Sequence, residues 1–137
     1  MTWLLFSLLS AVLASLTAVF AKAGLAGINS HLAAAVRTAV ILVFVWAAVF
    51  MTEAQKDLPR LTGRQLFFLI LSGLTAALSW LCYFRALQLG EVSKVAPIDK
   101  LSVVLTVILA ACFLNEPLTV KSIAGSLVIT AGVLILL

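Results

Sequence analysis

The sequence predicts an all-α integral membrane protein of five transmembrane helices, with no room for a soluble domain. Three observations carry that expectation. Of 137 residues, 64% are apolar and 10% charged, against ~45–50% and ~25% in ordinary soluble domains. The mean hydropathy is +1.26. Five near-continuous apolar stretches take up most of the chain. Nine Lys/Arg and five Asp/Glu are too few to cover the large exposed surface of so small a soluble domain. A soluble enzyme, a disordered tail and a nucleic-acid binder are therefore poor readings. The pI near 9.5 comes from four excess positive charges spread along the chain, as basic residues flanking spans would leave it.

A spanning helix needs ~20 mainly apolar residues to cross ~30 Å of hydrocarbon at ~1.5 Å per residue. The stretches that meet this are 2–21, 32–51, 66–87, 96–114 and 118–137. They are continuously apolar and do not alternate with period two, so helices are expected and not a barrel. The first lacks a basic n-region and is followed by four more, which favours an uncleaved helix over a signal peptide. The joins carry turn residues: Gly24, Gly27 and Asn29; then Pro59 and Gly63; then Gly90; and last Asn115–Glu116–Pro117. Cys82 and Cys112 fall inside spans and read as small core hydrophobes, with no disulfide framework or metal cluster in view.

Five spans place the termini on opposite sides. One face holds the N-terminus and the second and fourth joins, with Lys56, Arg60, Arg64 and Lys121; the joins of the other face hold Lys22 and Lys94. The excess predicts a cytoplasmic N-terminus. Arg37, Arg85 and Lys100 lie just inside the runs on that second face and nearly even the count, so dual insertion stays open.

Ionisable groups inside a span are expensive and mark candidate functional positions. The middles of all five runs hold none, and one end gathers Lys22, Arg37, Arg85, Asp99 and Lys100. One reading has these cations snorkelling to headgroups. The other has Arg37 or Lys22 paired with Asp99, the only acid inside a run on that face, in a contact that is structural or opens to a solute carboxylate or a proton. Pro97 is expected in the first turn of the fourth helix, with Asp99 favoured by the helix dipole. Ser102 and Thr106 follow Asp99 on one helix face. Trp80 and Tyr83 share a face of the third span, where ring surface with one polar atom suits a wet cavity wall.

Small residues suggest interfaces. Ser7, Ser10, Ala14, Thr17 and Ala21 form one seam on the first span. Gly125 and Gly132, seven apart on the fifth, let backbones approach within the bundle or between two copies. No nucleophile–base pair, phosphate-cradling loop or metal cluster is present in the pattern, His31 falls in a loop, and neither an enzyme nor a cofactor is expected.

The segment "YFRALQLGEVSKVAPIDKLSVVLTVILAACFLNEPLT" resembles the repeat unit of EamA-type members of the drug/metabolite transporter superfamily. "AVFAKAGLAGINSHLAAAVRT" is similar to the first two spans of that repeat. Over nearly its whole length the chain resembles the half-length, five-span bacterial/archaeal branch. The resemblance implies one EamA-like repeat over residues 1–137 in a prokaryotic inner membrane. Full-length relatives carry two inverted repeats around a cavity and work by alternating access. A single repeat then implies a second copy, antiparallel in one arrangement, or a related half-transporter. The cavity spans carry over by position to Lys22, Trp80, Tyr83, Arg85, Asp99, Ser102 and Thr106. The small four-span relatives hold a glutamate in the middle of their first span; here that depth carries only Ser, Thr and Ala, which argues against cationic drug exchange. A mouth with Lys22, Arg37, Arg85 and Lys100 against Asp99 favours anionic or zwitterionic solutes. The expected function is a secondary transporter, an exporter of small organic metabolites. The alternative is a non-transporting subunit that binds a partner protein or lipid.

Overall fold

The computed structural model describes residues 2–136. Among them every regular element is helical: α1 (Thr2–Gly24), α2 (Ser30–Met51), α3 (Gly63–Leu89), α4 (Val92–Asp99), α5 (Leu101–Leu114) and α6 (Val120–Leu136). A short 3-10 helix, Ala54–Arg60, joins α2 to α3. Four stretches are long and apolar enough to cross a bilayer: α1, α2, α3, and α4 with α5 taken together over Val92–Leu114. Helix α6 is apolar but has 17 residues, ~25 Å of helix at ~1.5 Å per residue, against ~30 Å of hydrocarbon. The expected fifth span, 118–137, is thus a shorter apolar helix among the described residues; its last residue, Leu137, lies outside them.

The ends of the helices follow from local chemistry. Asn29 caps α2, its side-chain oxygen accepting from the His31 N–H at 2.8 Å. Thr62 and Gln65 form a reciprocal capping box at the start of α3: the Gln65 N–H donates to Thr62 Oγ1 at 3.3 Å, and the Thr62 N–H donates to Gln65 Oε1 at 2.9 Å. Asn115 ends α5 in the left-handed region at φ 55°, a conformation Asn tolerates. The last helix starts two residues later than expected. Pro117 has no N–H to give, and the Thr119 hydroxyl accepts the Ser122 N–H at 3.1 Å.

The fourth run departs most from expectation. Helix begins at Val92, so only Gly90 and Glu91 separate it from α3. Pro97 lies inside α4 and Asp99 is its final residue, not a first-turn acid. The joint is tightened by i to i+3 bonds, Lys100 N–H to the Pro97 carbonyl and Val103 N–H to the Lys100 carbonyl, both at 3.0 Å. Having no N–H of its own, Pro97 weakens the helix in this stretch.

The chain forms two compact units, Met1–Ala18 with Leu89–Leu137, and Val19–Gln88. Within the first, α5 packs along α6 and α4 meets both. Within the second, α2 meets the 3-10 helix, and hydrogen bonds described below tie the α1–α2 joint to the end of α3. Few side chains are buried: Ala18 and Val133 in the first unit; Leu25, Ser30, Ala34, Phe84 and Leu87 in the second. Of the small-residue seam expected on α1, Ser7, Ser10 and Ala14 are exposed and Thr17 and Ala21 half-buried, while the buried residue of the helix, Ala18, lies off that seam. Large apolar side chains stand exposed along all the long helices. In water such a surface would aggregate; in a bilayer it is the face that meets lipid.

Gly27, in the α1–α2 joint, has φ +74° with open space around it. There a side chain costs backbone strain and not a clash. Gly27→Ala is expected to lower stability in detergent by about 1 kcal/mol, read as a lower Tm. Gly24→Ala, with equal space and no positive φ, should leave Tm unchanged or slightly raised.

Candidate functional site

The second unit holds five of the sequence-derived candidates, Lys22, Arg37, Trp80, Tyr83 and Arg85. Arg37 lies seven residues into α2, ~10 Å from its start. Its guanidinium carbon stands 4.6 Å from the Trp80 ring centroid and 5.4 Å from that of Phe84. Trp80 and Phe84 are four apart on α3 and so present adjacent rings on one face. Phe84 is 2% exposed while Trp80 and Arg37 are half-buried, so the cation rests against a fixed aromatic wall. Tyr83 lies within electrostatic range of Arg37.

A guanidinium carries five N–H donors pointing outward in its plane. Ring faces hold the cation from above and satisfy none of them. Arg37 makes no hydrogen bond or ion pair among the described residues. A cation over a ring gains ~0.5–2 kcal/mol, against an insertion cost of ~2.5–3.5 kcal/mol for an arginine at mid-bilayer and less near an end. The aromatic wall thus keeps the charge tolerable, and the polar edge remains open to an oxyanion.

The same unit holds a second network. Lys22 Nζ donates to the Leu87 carbonyl at 2.5 Å, near the end of α3, where the last carbonyls lack helical partners and the dipole favours a cation. Arg85 donates to Gln88 Oε1 at 2.6 Å, and Gln88 Nε2 donates to the Ile28 carbonyl at 2.9 Å. Leu87 is fully buried. The α1–α2 joint and the α3 end are therefore fastened by side chain to backbone contacts. Lys22 and Arg85 each have a structural partner here.

The remaining candidates lie in the first unit. Asp99 Oδ2 is 3.6 Å from its neighbour Lys100 Nζ, and Lys94 pairs with Glu91 at 3.5 Å. Ser102 and Thr106 are exposed on α5, and the Thr106 hydroxyl donates back to the Ser102 carbonyl at 2.8 Å. Gly125 and Gly132 are exposed on α6, where an added methyl would meet nothing within 4 Å. A pair of Asp99 with Arg37 or Lys22 would join residues of different units. Sequence reasoning missed Phe84, Gln88 and the two carbonyl acceptors. The i, i+4 pairing of Phe84 with Trp80 was a readable signal; the carbonyls had none.

The profile of the EamA-like transporter family matches residues 1–137. An "uncharacterized transporter in cobO 3'region" from Sinorhizobium sp. is 47% identical over 135 residues, covering 98% of this chain and 96% of that protein. The "uncharacterized transporter YvbV" of Bacillus subtilis (strain 168) is 32% identical over 133 residues, 94% of this chain but 42% of that protein. No solved structure matches the chain.

Gln88→Ala removes the bonds to Arg85 and to Ile28 together. The expected loss is about 1–2 kcal/mol, read as earlier thermal unfolding in detergent, with Arg85→Ala costing less because the Ile28 contact survives.

Proposed function

The chain belongs to the EamA-like transporter family, and from that premise we propose that it is a secondary transporter exporting small anionic or zwitterionic organic metabolites. The observation that carries the solute class is Arg37, a cation in a span with ring faces against it and its donor edge without a protein anion among the described residues. A solute carboxylate accepts from that edge in paired geometry. Trp80 and Tyr83 supply the wall, and Lys22 and Arg85 add positive field; in the other unit Asp99 is the candidate coupling acid, with Lys100, Ser102 and Thr106 the further solute-contacting candidates.

The working particle in this reading is a dimer of five-helix units in the prokaryotic inner membrane, its N-terminus in the cytoplasm. The second copy is inverted, or a related half-transporter takes its place, and the two rock about a shared cavity. The 42% share of the longer Bacillus relative supports this, since one of two repeats would occupy about that much. Gly125 and Gly132 would form the close contact between copies.

Purified chain reconstituted alone into liposomes is expected to catalyse counterflow of labelled amino acids. Arg37→Gln should reduce that flux by about tenfold or more, the loss expected for a hydrogen bond to a charged group, and Lys100→Gln by less. Transport of cationic dyes, unchanged by either substitution, would reject the anion-selective reading. No counterflow, from the chain alone or with a related half-transporter reconstituted beside it, would favour the non-transporting subunit.

A further inference from the structure

The opposite end of α3 carries a second feature that transport does not use. On the join between α2 and α3, Lys56 is paired with Glu53, and Arg60 donates to Asp57 at 2.9 Å. Arg64, the next cation, makes no ion pair or hydrogen bond among the described residues. The Thr62–Gln65 capping box fixes it in the first turn of α3. A cation there is disfavoured by the positive end of the helix dipole, so Arg64 and the helix end together present an uncompensated positive corner. Its guanidinium carbon stands 6.0 Å over the Phe68 ring.

Below that corner lies an open groove of about 480 Å³ lined by Leu61, Arg64, Gln65, Phe68 and Leu69. Its walls are overwhelmingly apolar, and Arg64 is the one charged residue lining it. A groove running from a lone cation at the start of a span down into hydrocarbon matches a molecule with an anionic head and an aliphatic tail. We propose that Leu61, Arg64 and Phe68 form a specific site for an anionic phospholipid, with its phosphodiester on Arg64 and one acyl chain along Phe68 and Leu69. Charge complementarity selects the head, and the apolar walls select the tail. The wholly apolar groove on α2, lined by Ala39, Val40, Val43, Phe44 and Ala47, has no such cation and takes any lipid chain.

Native mass spectrometry of the full chain in neutral detergent, with equal phosphatidylglycerol and phosphatidylcholine, tests the site. The wild type should retain phosphatidylglycerol over phosphatidylcholine by about five-fold, the ratio one basic residue gives at an anionic lipid surface. Arg64→Gln should abolish that preference while leaving the unfolding temperature unchanged, and Arg60→Gln, whose charge is already paired, should keep it. Adding inorganic phosphate should displace none of the bound lipid. A wild type without preference, an Arg64→Gln protein with the preference intact, an equal loss in Arg60→Gln, or displacement by phosphate alone would each overturn the proposal.

Discussion

Hydrocarbon offers no hydrogen-bond partner, and the arrangement of this chain follows from that constraint. Backbone groups are satisfied inside helices, which removes strands and open loops from the membrane interior. The hydroxyls obey the same rule. Ser7, Thr17, Thr38, Thr75, Thr106 and Thr130 all donate to the carbonyl four residues earlier on their own helix. A serine or threonine in such a span therefore needs no partner from elsewhere and is weak evidence for a wet pathway on its own.

Charges cannot be satisfied that way, and the chain sends them to helix ends. Lys22 reaches the orphan carbonyl of Leu87, converting the unsatisfied end of α3 into a fastening point. Lys56, Arg60 and Lys94 find acids three residues away. Two arginines are left to ring faces, Arg37 against Trp80 and Phe84 and Arg64 over Phe68. An aromatic face compensates a positive charge without occupying its hydrogen bonds. Such a cation stays both tolerable in the membrane and available to an anion, and the two arginines present this chemistry at opposite ends of α3. The neighbouring apolar surface differs between them: Phe84 and the half-buried Trp80 stand against one, and an open groove with Leu61, Phe68 and Leu69 adjoins the other.

How much of this was legible in the sequence depended on how local the cause was. Helix existence was readable from unbroken apolar runs, and the observed bounds of α1, α2 and α3 differ from those expected by three residues or fewer. The capping box at Thr62–Gln65 also has a sequence signature, and it sets the start of α3 earlier than hydropathy alone would. The fourth run misled because Pro97 was read as an opening residue. The helix had already begun at Val92 in "VSKVAPID", where Ser93 and Lys94 interrupt the apolar residues ahead of Pro97. Arg37, Trp80 and Tyr83 were identified from depth and chemistry. Their arrangement was not, because stacking on Phe84 depends on how α2 meets α3, and no periodicity within one helix encodes that. The carbonyls of Leu87 and Ile28 were invisible for a simpler reason: every residue has one.

The most direct measurement concerns the donor edge of Arg37. In a chain whose only tryptophan is Trp80, made by Trp3→Phe and Trp46→Phe, emission reports on the ring beneath that guanidinium. Titration with free amino acids and with their methyl esters separates the carboxylate from the rest of the solute. A saturable change in emission with the acids, absent with the esters and lost in Arg37→Gln, is the expected result. An equal response to acids and esters, or one that survives Arg37→Gln, would contradict anion recognition at this arginine.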